Sequence, residues 1–299
     1  MVLKITLVGK PGVGKTTIKK VIFEGENPNK LILFPLEATI GTKFSVHDFI
    51  DVKISLVDTP GQSLPILLED EEKQIQIFEN SKAIIYIFDY ENWISLSQEI
   101  IEDIRKIYRI IKNKNYKTQI FLFLHKIDLI SQKMRGKISL LKEQVINQLN
   151  LPVELTFYFT SLYPDLIYSI YNAFCDIISN FSENALKLKD LTNKIIGNLS
   201  RTICFVTDNN SNIIIHANTQ DFDNTLIPNL HEKVFNLSKT PKESNFSLID
   251  SHSKVLYMVM EDISNLSPNF QSVIFLSETL GKNDLLDLIE KFKVELKEN

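Results

Sequence analysis

The residues with the clearest chemical meaning lie between Gly9 and Thr17. They fit the spacing G-x-x-x-x-G-K-[ST], with an apolar run before it and an apolar helical pattern after it. In such a strand-turn-helix, glycines let successive backbone N–H groups point at phosphate oxygens. The Lys15 ammonium would lie between the β- and γ-phosphates, and the Thr16 hydroxyl can ligate Mg²⁺. The predicted phosphate-binding residues are Gly9, Lys10, Pro11, Gly12, Val13, Gly14, Lys15, Thr16 and Thr17.

A second motif, Asp58-Thr59-Pro60-Gly61-Gln62, follows the third candidate strand. In P-loop nucleotide hydrolases an Asp at the end of a neighbouring strand holds Mg²⁺ through water, and a following glycine can turn its N–H toward the γ-phosphate. The next side chain, Gln62, can then orient the attacking water. We therefore predict that Asp58 serves the metal, Gly61 the nucleotide and Gln62 the catalytic step.

The segment Glu37-Ala38-Thr39-Ile40-Gly41, between the first helix and the second strand, contains a candidate sensor of the γ-phosphate. A threonine here can reach Mg²⁺ only when the γ-phosphate draws the loop inward, which would make the segment a switch. Thr39 is the preferred residue and Thr42 is the alternative. The predicted metal residues are thus Thr16, Thr39 and Asp58, and the predicted catalytic residues are Lys15, Thr39 and Gln62.

A third motif, His125-Lys126-Ile127-Asp128, ends the candidate strand at 119–124. A carboxylate there can accept hydrogen bonds from N1–H and the exocyclic amine of guanine, donors that adenine lacks on that edge. Asp128 should therefore choose GTP over ATP. The Lys126 stem would lie along the base, and His125 stands where many GTPases use Asn to brace the loops. Ser161, at the end of the next strand, would offer its backbone N–H to guanine O6.

Each of these motifs also has a purely structural interpretation. The first could be a glycine-rich turn before a helix, and the second a common Asp-x-x-Gly turn. Asp128 could be a helix N-cap, His125 a loop histidine, and Thr160-Ser161 an ordinary cap. The order of the motifs along the chain favours the nucleotide interpretation, because each follows a candidate strand downstream of the phosphate loop.

Composition places the chain among globular proteins, with 44% apolar and 23% charged residues. The net charge of −4 gives no basic signature, so we expect no nucleic-acid partner. Cys175 and Cys204 are predicted to be buried thiols in a reducing compartment. No apolar run reaches the ~18 residues of a membrane-spanning helix. We therefore expect a cytoplasmic protein without direct membrane insertion.

The order of apolar patterns predicts two domains, 1–182 and 183–299. In the first, strands alternate with helices, which predicts an α/β fold with a mostly parallel six-stranded sheet. Its candidate strands are 2–8, 42–48, 52–57, 83–88, 119–124 and 154–159, and its candidate helices are 16–23, 64–79, 93–112, 137–149 and 164–180. The second is predicted to be α+β, with helices 185–199, 224–238 and 283–297 and strands 201–207, 213–217, 246–250, 254–260 and 271–277.

The whole chain resembles the Rag (Gtr) GTPases, which have a Ras-like domain followed by a roadblock-like (longin-like) domain. The residues that carry the resemblance are GKPGVGKTT with the helix ending KKVIF, the segments EATI, DTPGQ and IFENSKAIIYIFDYE, the HKID variant with His125, and TSLYPDLIYSIYNAF. In the second half, SNFSLID, VLYMVMED and the final amphipathic helix carry it. The ATI segment is similar to the A/B type of subunit. Two departures are Pro11 in the phosphate loop and Asp-Thr-Pro-Gly in place of the Asp-Cys-Gly-Gly common in the A type.

The resemblance implies a switch that binds GTP or GDP with Mg²⁺ and works as a homo- or heterodimer through the C-terminal domain. It also implies a roadblock-type scaffold and a GTPase-activating protein as partners, a place at a lysosomal or vacuolar membrane through those partners, and amino-acid signalling to the TOR kinase. Arg105, Arg109, Arg135 and Arg201 lie outside the switch segments, so we expect slow hydrolysis without an activating partner. The alternatives are a GTP-binding scaffold that hardly hydrolyses, which Pro11 motivates, and an ATP-dependent P-loop enzyme.

The predicted dimerisation rests on an open sheet, whose edge strands have unpaired N–H and C=O groups. Strand 254–260 is apolar at nearly every position and should be central, whereas 246–250 should be an edge. The final helix carries an apolar stripe formed by Leu285, Ile289, Phe292 and Leu296. This stripe could support the pairing of two chains or could cover its own sheet.

Overall fold

The computed structural model describes residues 2–33, 36–37, 39–49, 52–130, 138–163, 166–209, 213–222, 245–251, 254–267 and 270–298. The chain divides into two compact units. Unit 1 consists of Met1–Asp48 and Lys53–Ile170, and unit 2 consists of Phe49–Val52 and Tyr171–Asn299. The domain boundary at 182/183 stays a prediction.

Unit 1 contains a six-stranded sheet in the order β2-β3-β1-β4-β5-β6. Its strands are β1 (Val2–Val8), β2 (Lys43–Phe49), β3 (Val52–Asp58), β4 (Ser81–Asp89), β5 (Gln119–His125) and β6 (Thr156–Phe159). Strand β1 runs parallel to β3 and β4, and β5 runs parallel to β4 and β6. The predicted α/β class with a mostly parallel six-stranded sheet is confirmed. The carboxyl ends of β1, β3, β4, β5 and β6 consequently lie along one edge of the sheet.

The central strands of this sheet are buried on both faces. One face of β4 carries Ile84, Tyr86 and Phe88, which belong to a core cluster with residues of the covering helices. The opposite face of the same strand carries Ile85 and Ile87, which are also fully buried. Near-continuous apolar strands of this kind are expected where helices cover both faces of a parallel sheet.

The helices of unit 1 are α1 (Lys15–Glu24), α2 (Pro28–Leu33), α3 (Leu64–Glu69), α4 (Glu71–Phe78), α5 (Tyr90–Asn113) and α6 (Ile138–Leu149). Helix α7 (Tyr168–Ser179) begins in unit 1 and continues into unit 2. Short 3₁₀ segments occur at Gly61–Ser63 and Ile127–Leu129. Helix α2 has no counterpart among the predicted elements. The predicted helix 64–79 is divided at Asp70, whose backbone is extended and whose carboxylate accepts the Lys73 N–H at 3.2 Å, capping α4.

Unit 2 contains an antiparallel five-stranded sheet in the order β8-β7-β11-β10-β9. Its strands are β7 (Thr202–Thr207), β8 (Ile213–Asn218), β9 (Asn245–Ser251), β10 (Lys254–Asp262) and β11 (Ser272–Ser277). Helices α8 (Glu183–Ile196) and α9 (Lys282–Glu298) accompany it. The prediction that β9 is an edge and β10 is not is confirmed. The predicted helix 224–238 lies outside the described residues.

Helices α8 and α9 cover one face of the second sheet. Leu285, Ile289 and Phe292 of α9 are fully buried in a cluster that includes Phe275 and Val259 of the strands. The apolar stripe of α9 therefore covers its own sheet, which was one of the two predicted roles. Within the described ranges, no helix has the length and apolar character needed to cross a membrane.

Candidate functional site

The phosphate loop joins β1 to α1, and its backbone adopts positive φ angles that favour glycine. Gly14 has φ +93°, and a Cβ on it would lie 3.0 Å from the His125 ring. A side chain at this position would therefore be strained by its backbone and crowded by its neighbour. In the same loop Val13 is buried and Pro11 is exposed, while Thr17 lies in the first turn of α1.

Lys15 is folded back over the loop. Its Nζ donates to the carbonyl oxygens of Gly9 and Lys10, both at 2.8 Å, and the residue is only 6% exposed. Burial lowers the pKa of Lys15 to about 8, although the nearby Asp58 carboxylate acts in the opposite direction. The loop thus holds an ammonium whose charge is poorly solvated, which favours an anionic ligand.

The three predicted metal residues lie together. Thr16 Oγ1 donates to Asp58 Oδ2 at 2.7 Å, and the hydroxyl oxygens of Thr16 and Thr39 are 2.5 Å apart. Because Thr16 has one hydroxyl proton, Thr39 must be the donor in the second contact. The residue that meets this cluster is the preferred Thr39, reached from the segment before β2.

This cluster fits a magnesium ion. Asp58 is fully buried, and its Oδ1 has no hydrogen-bond partner among the residues that the structure describes. Burial raises its pKa despite the Thr16 hydrogen bond and the Lys15 charge. A buried carboxylate oxygen without a partner is costly unless a cation or water satisfies it. Two hydroxyls and one carboxylate are hard oxygen donors, the kind that Mg²⁺ prefers. The metal role of these residues remains a prediction.

Gly61 lies against the phosphate loop. A Cβ on Gly61 would be 2.4 Å from the Pro11 nitrogen and 2.7 Å from the Lys10 carbonyl oxygen, so only glycine fits. The following Gln62 has an exposed side chain, which makes no hydrogen bond within the described part of the chain. The structure therefore brings Gly61 to the loop but does not join the Gln62 side chain to the cluster.

His125 and Lys126 connect β5 to the phosphate loop. The buried His125 ring lies beside Gly14, and its Nδ1 is 3.0 Å from Thr160 Oγ1 on the strand-end of β6. Burial, assisted by Lys126, lowers the pKa of His125 to about 3, so the ring is neutral at physiological pH. Lys126 Nζ donates to the Gly12 carbonyl at 2.7 Å. His125 thus lies between the phosphate loop and the end of β6, and its bracing role stays a prediction.

The base-recognition candidates Asp128 and Ser161 also meet. Ser161 Oγ donates to Asp128 Oδ1, and Ser161 is fully buried. The Ser161 backbone N–H, predicted to reach guanine O6, donates to Ser169 Oγ at 3.0 Å. Asp128 is half-buried in the 3₁₀ segment after β5. A carboxylate positioned by a serine hydroxyl next to the phosphate loop can recognise a base with two adjacent donors.

Sequence reasoning missed Asp89 at this site. Asp89 Oδ2 accepts from Lys126 Nζ at 2.9 Å, while Oδ1 accepts from the N–H of Asn92 and caps α5. The signal was present, because Asp89 ends a strand that is parallel to β5 and pairs in register with His125. Polar residues that end neighbouring parallel strands lie side by side, so Asp89 belonged among the candidates.

The chain is similar in sequence to known GTP-binding proteins. Residues 4–238 match the family model described as the Gtr1/RagA G protein conserved region. The Ras-related GTP-binding protein A of Dictyostelium discoideum is 27% identical over 171 residues, covering 57% of this chain and 56% of that protein. The Ras-related GTP-binding protein C of Mus musculus is 25% identical over 227 residues, covering 74% and 54% respectively. The chain thus spans about half the length of these relatives.

A solved small GTPase structure, Arl6 BBS3 from Trypanosoma brucei with bound nucleotide analogue GppNp, aligns with 60% of this chain and 97% of that one. The identity is 13% and the TM-score is 0.46. The family match, in contrast, covers most of unit 1 and extends into unit 2. The chain therefore belongs to the Gtr1/RagA (Rag) family of G proteins.

Proposed function

We propose that this protein is a guanine-nucleotide switch that binds GTP and GDP with Mg²⁺ and hydrolyses GTP. The observation that carries the proposal is the hydrogen bond from Lys126 Nζ to the Gly12 carbonyl, because it joins the Asp128 segment to the phosphate loop. The Asp128 segment could then hold the base of a nucleotide while the adjacent phosphate loop holds its phosphates, at the same edge of the sheet. Membership of the Rag family supports GTP binding in general.

Base selection would depend on Asp128. Its carboxylate would accept from N1–H and the exocyclic amine of guanine, with Ser161 Oγ holding its orientation. Adenine presents no such pair of donors, so a bound ATP could not make these two hydrogen bonds to the half-buried carboxylate. Sites built in this way reject the mismatched ligand by on the order of 10³-fold or more.

Hydrolysis would use the phosphate loop and the two segments beside it. Thr16, Thr39 and Asp58 would hold Mg²⁺, which when bound offsets the negative charge of the phosphates. Lys15 would release the Gly9 and Lys10 carbonyls and direct its ammonium to the phosphate oxygens. Gln62, which is exposed, would move inward to orient the attacking water.

We propose that hydrolysis is slow until a partner supplies further positive charge. Arg105 donates to the carbonyl oxygens of Gln148 and Leu149, and Arg201 lies in unit 2 beside Glu278. Arg105 thus contacts α6 within unit 1, and Arg201 forms an ion pair within unit 2. A catalytic arginine from an activating protein typically accelerates phosphoryl transfer by ~10³–10⁵-fold.

The wider role is proposed from the family resemblance. It comprises dimerisation through the C-terminal, roadblock-like domain, docking on a roadblock-type scaffold, and nutrient signalling to the TOR kinase at a lysosomal or vacuolar membrane. It also includes closeness to the A/B type of subunit. Strand β9 ends the sheet among the described residues, which supports the dimerisation part because an edge strand can pair with a second chain.

The experiment that tests the proposed function is a competition titration of purified, nucleotide-stripped protein with GTP, GDP and ATP in the presence of Mg²⁺. Preference for both guanine nucleotides over ATP by at least about a thousandfold is the expected result. Comparable affinities for ATP and GTP would reject guanine selection and favour the ATP-dependent alternative.

A second candidate, a GTP-binding scaffold with little hydrolysis, is favoured by Pro11. This exposed residue contributes no N–H to the phosphate loop and lies against Gly61. Single-turnover hydrolysis with and without an activating protein separates the two functions. A switch should hydrolyse faster with the activator, and Gln62→Leu should abolish that gain while leaving GTP affinity unchanged. A scaffold should show neither effect.

A further inference from the structure

Lys10 lies in the phosphate loop, but its side chain points to helix α5. Its Nζ is 2.8 Å from Glu99 Oε2 and 3.0 Å from Asp103 Oδ2. The side chains of Lys10 and Asp103 are 8% and 10% exposed, whereas that of Glu99 is 59% exposed. The ammonium is therefore committed to one buried and one solvent-facing carboxylate.

Asp103 has a second donor within the core. The hydroxyl of Tyr86, a fully buried residue of β4, donates to Asp103 Oδ2 at 2.9 Å. Burial and the nearby Asp103 charge raise the pKa of Tyr86 well above its usual value, so the phenol keeps its proton. Lys10 is thus tied, through Asp103, to the centre of the parallel sheet.

The ion pairs hold the charge of Lys10 firmly. Burial alone would lower the pKa of Lys10, but its hydrogen bonds to Glu99 and Asp103 outweigh burial and raise it. Removing one partner of a buried charge pair is costly because the other charge is left unpaired. Loss of the Lys10 ammonium would therefore leave the buried Asp103 carboxylate without its ion-pair partner, and its side chain should then change conformation.

The backbone of Lys10 contacts two residues to which the proposed function assigns the phosphates, Lys15 and Gly61. Its carbonyl oxygen accepts from Lys15 Nζ at 2.8 Å. The same carbonyl, together with the Pro11 nitrogen, forms the surface on which Gly61 rests. A shift of this peptide would displace both the Lys15 ammonium and the Gly61 N–H.

We infer that Lys10 is a positioning residue, whose side chain anchors the phosphate loop to α5 and thereby places Lys15 and Gly61. It is not a phosphate ligand. The inference rests on the proposed function and narrows it, since Lys10 was predicted among the nucleotide-binding residues. Only its backbone would then face the nucleotide.

A double-mutant cycle on the full chain tests this. The variants are Lys10→Met, Asp103→Asn and their combination, and the measurement is the dissociation rate of a fluorescent GDP analogue in Mg²⁺. Each single variant should accelerate release of the GDP analogue by about tenfold. The double variant should release it no faster than either single variant, because the effects of two substitutions that remove the same contact do not add. Lys10→Arg should restore most of the wild-type rate, since it keeps the charge.

Two controls separate positioning from general destabilisation. Lys20→Met removes the same charge from the Lys20–Glu26 ion pair on the other side of α1 and should leave the rate unchanged. Ile107→Val removes one buried methyl group from α5 and should lower the melting temperature without faster release. If Lys10→Met fails to fold, Glu99→Gln, at an exposed partner, carries the test and should accelerate release several-fold.

The outcomes are distinct. Additive effects of Lys10→Met and Asp103→Asn on the release rate would overturn the positioning role. So would faster release from Ile107→Val, because release would then simply increase as the melting temperature falls. Failure of the wild-type protein to bind any guanine nucleotide would overturn the proposed function itself. Tight wild-type binding with a non-additive cycle supports both.

Discussion

At the residue scale, Asp128 is the side chain to which we assign base choice in the proposed function. Asp128→Asn replaces one acceptor by an amide that also donates, and it disturbs the contact with Ser161 Oγ. We expect GTP affinity to fall by at least about a hundredfold and affinity for xanthosine triphosphate to rise, because the xanthine edge presents an acceptor where guanine presents its amine. Competition titrations with both nucleotides measure this.

The matched control for base choice is Asp190→Asn on the exposed side of α8, which makes the same chemical change outside the site. It should leave both affinities at wild-type values. An Asp128→Asn variant that still prefers GTP as strongly as the wild type would assign base selection to another residue.

Lys15 makes a prediction about pH. In the nucleotide-free protein burial lowers the pKa of Lys15 to about 8, whereas bound phosphates would stabilise its charged form and raise the pKa. Binding above pH 8 must then take up a proton, so affinity for GDP should fall as pH rises from 8 to 10, by at most about tenfold per pH unit. Calorimetry in buffers of different ionisation enthalpy measures the uptake.

The Lys15→Met variant is the control for this proton uptake. It should bind GDP weakly, and its remaining affinity should not change between pH 8 and pH 9.5. A wild-type affinity that is constant over the same range would show that the ammonium is charged in both states.

The sequence indicated the candidate phosphate- and metal-binding residues, but not all of the side chains that form ion pairs with the site. Lys15, Thr16 and Asp58 could be predicted because the spacing of their motifs is set by the phosphates and the metal. Asp89 could have been added, because it ends a strand that is parallel to β5 and pairs with His125. The Glu99–Asp103 pair could not, because its partner Lys10 comes from the phosphate loop, far away in sequence. Contacts between residues far apart in sequence leave no local pattern.

At the element scale, the segment before β2 decides between two threonines. The structure brings Thr39 to the Thr16 hydroxyl, so Thr39→Ala should weaken binding of a GTP analogue by about tenfold and leave GDP affinity nearly unchanged. Thr42→Ala, a neighbouring change of the same kind, should affect neither. The measurement is the ratio of the two dissociation constants in Mg²⁺. Equal effects on GTP analogue and GDP would contradict a switch role for Thr39.

The elements themselves followed from apolar patterning, with boundaries that changed where side chains cap the backbone. The central strands of both sheets are buried and apolar, and the predicted positions of the strands agree closely with the structure. Helix α5 begins at Tyr90 rather than 93 because Asp89 caps it, and Asp70 divides α3 from α4 in the same way. A capping side chain offers the backbone an alternative to further helix, and the spacing of apolar residues gives no sign of it.

At the scale of the whole molecule, the order of elements predicted both sheets. Strand-helix alternation gave the parallel sheet, and consecutive strands gave the antiparallel one. The strand order β8-β7-β11-β10-β9 is less accessible to sequence, because β11 lies between β7 and β10 although other strands separate it from β7 in the chain. Only the apolar residues at nearly every position of 254–260 indicated that this strand is not an edge.

The edge of β9 leads to the prediction that two chains associate there. In light-scattering measurements on the full chain, alone and mixed with a Rag-family partner, we expect a dimer whose interface buries at least about 1,000 Å². Successive residues of an antiparallel strand direct their N–H groups to opposite sides, so Ser247→Pro and Leu248→Pro differ in which side they block. One removes a hydrogen bond with β10, and the other removes only an outward-facing donor.

The two proline variants therefore test edge pairing directly. The variant that blocks the outward donor should keep the wild-type melting temperature and lose the dimer, since proline is tolerated on the open side of an edge strand. The other variant, at Leu248 or Ser247, removes an N–H that faces β10. It should lower the melting temperature, because a hydrogen bond between β9 and β10 is lost. If both variants dimerise like the wild type, the two chains meet elsewhere. A wild-type protein that is monomeric in every mixture would refute association through this sheet.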